Sequence, residues 1–198
     1  MEVISSVIIP IMMISPIIVV YIVLYNSLRR SQTKVQEGWS GVEVQLKRRH
    51  DLVPNLLSSV KAAMGHETRI FEQLVEARKT ADKALASQDP KLIETAEANL
   101  SAKLQGLRVH IEDNSEITAT GNVQELQRQL EETEDQIAAS RRLYNGNVQK
   151  LNAAVVTFPG NLIASRHNIT TVEPFAMEQL EYDAALLPPE LQFDTLSR

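Results

Sequence analysis

From residue 35 to residue 158, apolar side chains return at alternating gaps of four and three, the spacing of helices buried along one seam. Val35, Trp39, Val42 and Leu46 open the pattern. Val53, Leu56, Val60 and Ala63 continue it, with Arg49 at the intervening position, and Ile70, Leu74, Ala77, Ala81 and Ala84 extend it toward Ser87. Pro54 interrupts this stretch. A proline within a helix removes a hydrogen bond and costs about 3 kcal/mol, so a bend or break is predicted near residues 49–51, with Asp51 capping the helical segment beyond it.

Asp89 then sets an N-cap acceptor directly before a proline at the first helical position, which marks a new helix. Its stripe passes through Ile93, Ala96, Leu100, Leu104, Leu107 and Ile111 and fades at Asn114-Ser115. A last long helix runs from Val123 through Leu126, Leu130, Ile137, Tyr144, Val148, Leu151, Val155 and Phe158, with Glu134 and Arg141 at two seam positions and Pro159-Gly160 as its end. A turn is predicted at residues 162–165. No stretch alternates with period two over a strand length, so the predicted class is all-α.

Residues 3–24 obey a different rule. They carry no charge, and 22 residues at ~1.5 Å each reach roughly 33 Å, enough for a hydrocarbon core of ~30 Å. The reading is an uncleaved N-terminal transmembrane helix followed by a long antiparallel three- to four-helix bundle. Its boundaries fall at 1–28 for the anchor, 29–165 for the bundle and 166–198 for an acidic C-terminal tail. Arg29, Arg30 and Lys34 follow the apolar run, whereas only Glu2 precedes it; the positive-inside rule then places the N-terminus outside and the C-terminal domain in the cytoplasm of a single-pass inner-membrane protein. Phe175, Leu180, Ala184 and Leu187 have the spacing of a short amphipathic helix in the tail.

Charge and composition narrow the function. Twenty Lys and Arg against 25 Asp and Glu give a net charge of −5, which offers no field for a nucleic acid. The absence of cysteine excludes disulfides and thiolate chemistry. The residues three before His50, His66, His110 and His167 are Lys47, Ala63, Leu107 and Ala164, so none forms the Glu-x-x-His pair of a bundle metal centre. Gly38-x-x-Gly41 lacks the context of a phosphate loop and reads as close helix packing. No Gly-x-Ser-x-Gly elbow is present. No enzyme, metal or cofactor is expected. Arg49, Glu134 and Arg141 remain as a candidate polar cluster: a charged seam position is costly unless paired, so Glu134 is expected to join Arg49 or Arg141 and fix helix register. The run of residues 47–50 is read as packed within the bundle rather than on lipid.

Residues 39–56, Trp-Ser-Gly-Val-Glu-Val-Gln-Leu-Lys-Arg-Arg-His-Asp-Leu-Val-Pro-Asn-Leu, resemble the signature of the LemA family. The similarity extends to Tyr25-Asn26, Val60-Lys61, His66-Glu67, Glu76-Ala77-Arg78, Leu126-Gln127, Leu130-Glu131, Thr133-Glu134, Arg141-Arg142-x-Tyr144-Asn145 and Phe158-Pro159. The chain departs from the family at residues 114–119, where a Tyr-Pro-x-Leu-Lys-Ala loop is usual. The resemblance implies a bacterial single-pass membrane protein with a helical domain, and hints at association with a membrane metalloprotease. The expected function is that of a membrane-anchored scaffold or adaptor, as a homo-oligomer or part of a membrane complex. The alternative is a lipid-binding or membrane-remodelling protein.

Overall fold

The computed structural model describes residues 2–64, 68–114 and 121–175, and the side chains of all of these except 2–11, 13, 14, 62–64 and 68. Among these residues there are five helices and no strand: α1 (Glu2–Met64), α2 (Thr68–Ser87), α3 (Pro90–Glu112), α4 (Gly121–Val156) and α5 (Gly160–Arg166).

The seam residues become the core. Val42, Leu46, Val53 and Val60 of α1 pack with Leu74 and Ala81 of α2, Ile93, Leu100 and Leu107 of α3, and Val123, Ile137, Val148 and Leu151 of α4. The helices alternate in direction. Asn147 of α4 donates to the Lys34 carbonyl, Arg49 of α1 meets Glu134, and Asn122 donates to Ser59, which fixes α1 and α4 as antiparallel along most of the bundle. Lys103 reaches Gln73 across the α2–α3 hairpin. Asp89 caps α3 by accepting from the amides of Lys91 and Leu92, as its place before Pro90 requires.

Helix α1 does not break at Pro54. The proline removes the amide that would bond to the carbonyl of residue 50, and the Nε of Arg78 on α2 donates to that carbonyl at 2.7 Å instead. A side chain from a neighbouring helix thus offsets the lost bond, and the rod continues. The expected extension of this helix toward Ser87 is corrected as well, because α2 is a separate element.

The transmembrane anchor expected at residues 1–28 is also corrected: among the described residues no helix is long and apolar enough to cross a membrane. Asn26, Arg29 and Arg30 follow residue 24 within two turns. The side chains of residues 1–11 lie outside the described set. With the span go the single-pass topology, the assigned sides of the membrane and the bilayer as partner. Arg29, expected to flank the membrane, instead donates to Tyr25 Oη and Gln32 on its own helix and lies over the Tyr25 ring. Arg30 is exposed, and Lys34 contributes its carbonyl to the α4 contact.

Gly38 packs as read from its sequence context. A Cβ there would lie 3.1 Å from Tyr144 Cα, whereas Gly41 faces open space. The seam of α4 ends one residue after Val155, and Phe158, expected on it, is 79% exposed. Helix α5 turns back against α1, where His167 Nε2 lies 2.7 Å from Tyr21 Oη and its ring packs on Tyr25. Asn168 follows at φ 53°, and the Ile169 amide closes on the Ala164 carbonyl, an αL ending that asparagine tolerates. The chain then runs without regular structure through residues 169–175. The expected tail helix falls at residues 176–198, outside the described set, apart from Phe175, which is not helical.

Candidate functional site

The seam position filled by Arg49 is the centre of a buried ionic network that touches four helices. Arg49 Nη2 donates to Glu134 Oε1 of α4 at 2.8 Å and to Ser101 Oγ of α3 at 2.7 Å, and Nη1 donates to Glu97 Oε2 at 3.4 Å. Next along α1, the His50 ring is held from both sides: Nε2 lies 2.6 Å from Glu97 Oε1 and Nδ1 lies 2.7 Å from Asp82 Oδ1 of α2. Arg78 completes the set with an ion pair to Asp82. His50 is 0% and Glu97 1% exposed.

Burial alone would push the His50 pKa down, but the hydrogen bond and charge of Glu97, then those of Asp82, prevail and raise it. With the ring protonated the charges balance, Arg49, His50 and Arg78 facing Glu97, Glu134 and Asp82, three cations against three carboxylates. Both ring nitrogens are then N–H donors with acceptors in place, so neither offers a lone pair to a metal or a substrate proton. Among the described residues no group of carboxylates and imidazoles is arranged to hold a metal ion. Beside the network, a cavity of about 60 Å³ between α3 and α4 is lined by Leu56, Ser101, Leu104, Arg108, Glu131 and Glu134. That is room for a few waters, far below the roughly 300 Å³ of a small-molecule site.

Arg49 and Glu134, two of the three residues proposed from the sequence, are thus brought together. Arg141 is not: its guanidinium lies 5.6 Å from the ring centroid of Phe175, two turns along α4 from Glu134. The partners that sequence reasoning missed are Glu97, Asp82, Arg78 and Ser101. Glu97 lies one position off the seam residue Ala96, and the structure shows α3 burying both.

A second polar arrangement lies where Arg141 points. Residues 169–175 cross the α1–α4 ridge, held by two asparagines of α4. Asn145 Nδ2 donates to the Phe175 carbonyl at 3.0 Å while its Oδ1 accepts from the Phe175 amide at 2.9 Å. Asn152 repeats this at Val172, donating to the carbonyl at 2.8 Å and accepting from the amide at 2.9 Å. Each side-chain amide meets a residue's own N–H and C=O, as the edge of a strand would. Tyr144 Oη adds a bond to the Glu173 carbonyl at 3.2 Å, and Lys91 of α3 pairs with the Glu173 carboxylate. The ring of Phe175, 2% exposed, stacks on Trp39 at 5.3 Å and meets Tyr144 edge-on at 5.4 Å.

The spacing explains why two asparagines suffice. Seven residues of α4 rise about 10.5 Å, and three residues of extended chain cover about 10 Å. Asn145 and Asn152 therefore meet Phe175 and Val172 in register, with the segment antiparallel to the helix. No curated protein matches the chain. Residues 38–193, which hold the network, both asparagines and the segment they grip, match the model of the LemA family, and the chain belongs to that family.

Proposed function

We propose that this chain is a non-catalytic domain that holds extended polypeptide against a rigid helical ridge. The observation that carries this reading is the pair of two-bond clasps from Asn145 and Asn152 to the backbone at Phe175 and Val172. Recognition through main-chain N–H and C=O groups is how proteins bind strands added to a sheet edge, and here helix side chains supply the equivalent groups. The ionic network serves the ridge. It fixes α1 against α4 about three turns from the clasp, and its histidine, with both nitrogens committed and no exposure, is not placed to act on a substrate. The membrane-anchored role implied by the apolar N-terminus is set aside with the span.

The test uses a panel of fluorescent, unstructured octapeptides titrated into the F175A chain, which weakens the hold of the internal segment. Binding is expected for part of the panel, with loss of at least tenfold in affinity when N145A and N152A are added. Failure of every peptide to bind would overturn the reading.

A further inference from the structure

The clasps recognise any backbone, but the side chains between them do not accept any sequence. Ile169 and Phe175 are buried and Val172 is packed against the core, whereas Thr170, Thr171, Glu173 and Pro174 are turned outward. One residue in three faces the ridge. That is the period of a polyproline-like extended chain, about 9 Å per turn, close to the 10.5 Å between the two asparagines. Pro174 suits this geometry. It lacks the N–H that the exposed position does not need, and it disfavours helix at Glu173, so residues 172–175 are biased toward the extended form the clasps grip.

The inward position at Phe175 has a defined receptor. The aromatic site between Trp39 and Tyr144, with Arg141 over the ring, takes a flat side chain. The Val172 position takes an aliphatic one, and the residue after it faces the Lys91 ammonium. The site is filled in cis through a short lead. Asn168 turns the chain at φ 53° and the Ile169 amide closes α5, so the segment enters the ridge at once.

From this we infer that the ridge is a sequence-selective peptide site occupied by the chain's own residues 169–175, which act as an intramolecular competitor. Its partner in trans is an extended peptide with an aliphatic residue, an acidic residue, any residue and an aromatic residue in succession, preceded by an aliphatic three positions before the first. This rests on the polypeptide-holding reading of the ridge and adds its specificity and its regulation. A partner gains access by displacing the segment, so its apparent affinity is reduced by the fraction of time the segment is seated.

The experiment titrates a fluorescein-labelled peptide Ile-Thr-Thr-Val-Glu-Pro-Phe into the full chain and follows anisotropy. The F175A chain is expected to bind at least tenfold more tightly than the unaltered chain, and the F175A/N145A/N152A chain at least tenfold more weakly than F175A. A scrambled peptide that separates the aliphatic and aromatic residues by other spacings is expected to bind F175A at least tenfold more weakly. Hydrogen exchange on the unaltered chain supplies a readout that needs no variant: excess peptide is expected to speed exchange at the Val172 and Phe175 amides and leave the α4 amides unchanged. Equal affinity of the unaltered and F175A chains, with exchange unmoved, would overturn self-competition. Equal binding of the scrambled peptide would overturn the sequence preference and leave the polypeptide-holding reading standing. No binding by either peptide to any chain, with exchange unmoved, would overturn both.

Discussion

Glu97 illustrates how much one side chain can carry when it is buried between two cations. Its oxygens take the His50 ring and the Arg49 guanidinium at once, so E97L would strip both of their one fully buried carboxylate and leave Arg49 to Glu134 and His50 to Asp82, each about half exposed. Removing one member of a buried ion pair costs about 3–5 kcal/mol, and that loss is expected in urea unfolding of E97L. Glu134 is different. Its side chain is 54% exposed and water replaces what Arg49 gives it, so E134Q is expected to cost about 1 kcal/mol or less in the same assay. The His50 shift has a definite sign. A folded-state pKa raised above the 6.5 of the free side chain stabilises fully below that value, and the contribution is lost as pH rises through the folded pKa. Stability of the native chain relative to H50Q is therefore expected to fall as pH rises above about 6.5. Unfolding curves of the two proteins across pH 5.5–9 check it, and a constant difference would contradict the protonated ring. The sequence showed Arg49 and Glu134 because both sit on the apolar seam of a helix, where a charge stands out. Glu97 and His50 sit one position off that seam, where a polar residue is unremarkable, and only the packing of four helices together turns that position inward.

At the scale of the helix, Pro54 shows why a local rule can fail. Propensity assigns the proline a break, and the break is absent because a residue 24 positions later on another helix donates to the freed carbonyl. R78A should therefore cost about 1–3 kcal/mol through that carbonyl and the lost Asp82 pair. In a P54A background the new backbone amide offers the carbonyl an alternative donor, and the penalty of R78A is expected to shrink. A double-mutant cycle measures the difference, and a coupling of zero would remove this explanation of the unbroken helix. Gly38 sets the closeness of α1 and α4 beneath the aromatic site. G38A places a Cβ 3.1 Å from the Tyr144 backbone and is expected to lower stability by about 1–3 kcal/mol, while G41A, facing open space, is expected to leave stability unchanged or slightly improved. The apolar stripe revealed the long helices because burial along one face repeats in sequence, and Asp89-Pro90 marked the start of α3, whereas α4 ends at Val156, before the Pro159 expected to stop it. It could not show that α1 and α2 are separate elements, nor that the apolar N-terminal run belongs to the same rod as the bundle.

On the scale of the whole molecule, helices α1 and α4 form a spine, the α2–α3 hairpin packs on it, and the ionic network ties the two halves together. Replacing Arg49, His50 and Glu97 together by Met, Leu and Leu removes the charges along with their desolvation, and is expected to cost much less than E97L alone. The clasp was not legible in the sequence. Asn145 and Asn152 stand seven apart on one helix face, a spacing with no meaning until an extended segment with the same repeat lies beside it. Asn145 and Asn152 hold the backbone at Phe175 and Val172 as a strand edge would. Amide hydrogen exchange at Val172 and Phe175 reads that grip, comparing the native chain with N145A/N152A. Protection of both amides is expected in the native chain, with its selective loss in the variant and the α4 amides unchanged. Equal exchange at those two amides in both proteins would contradict it.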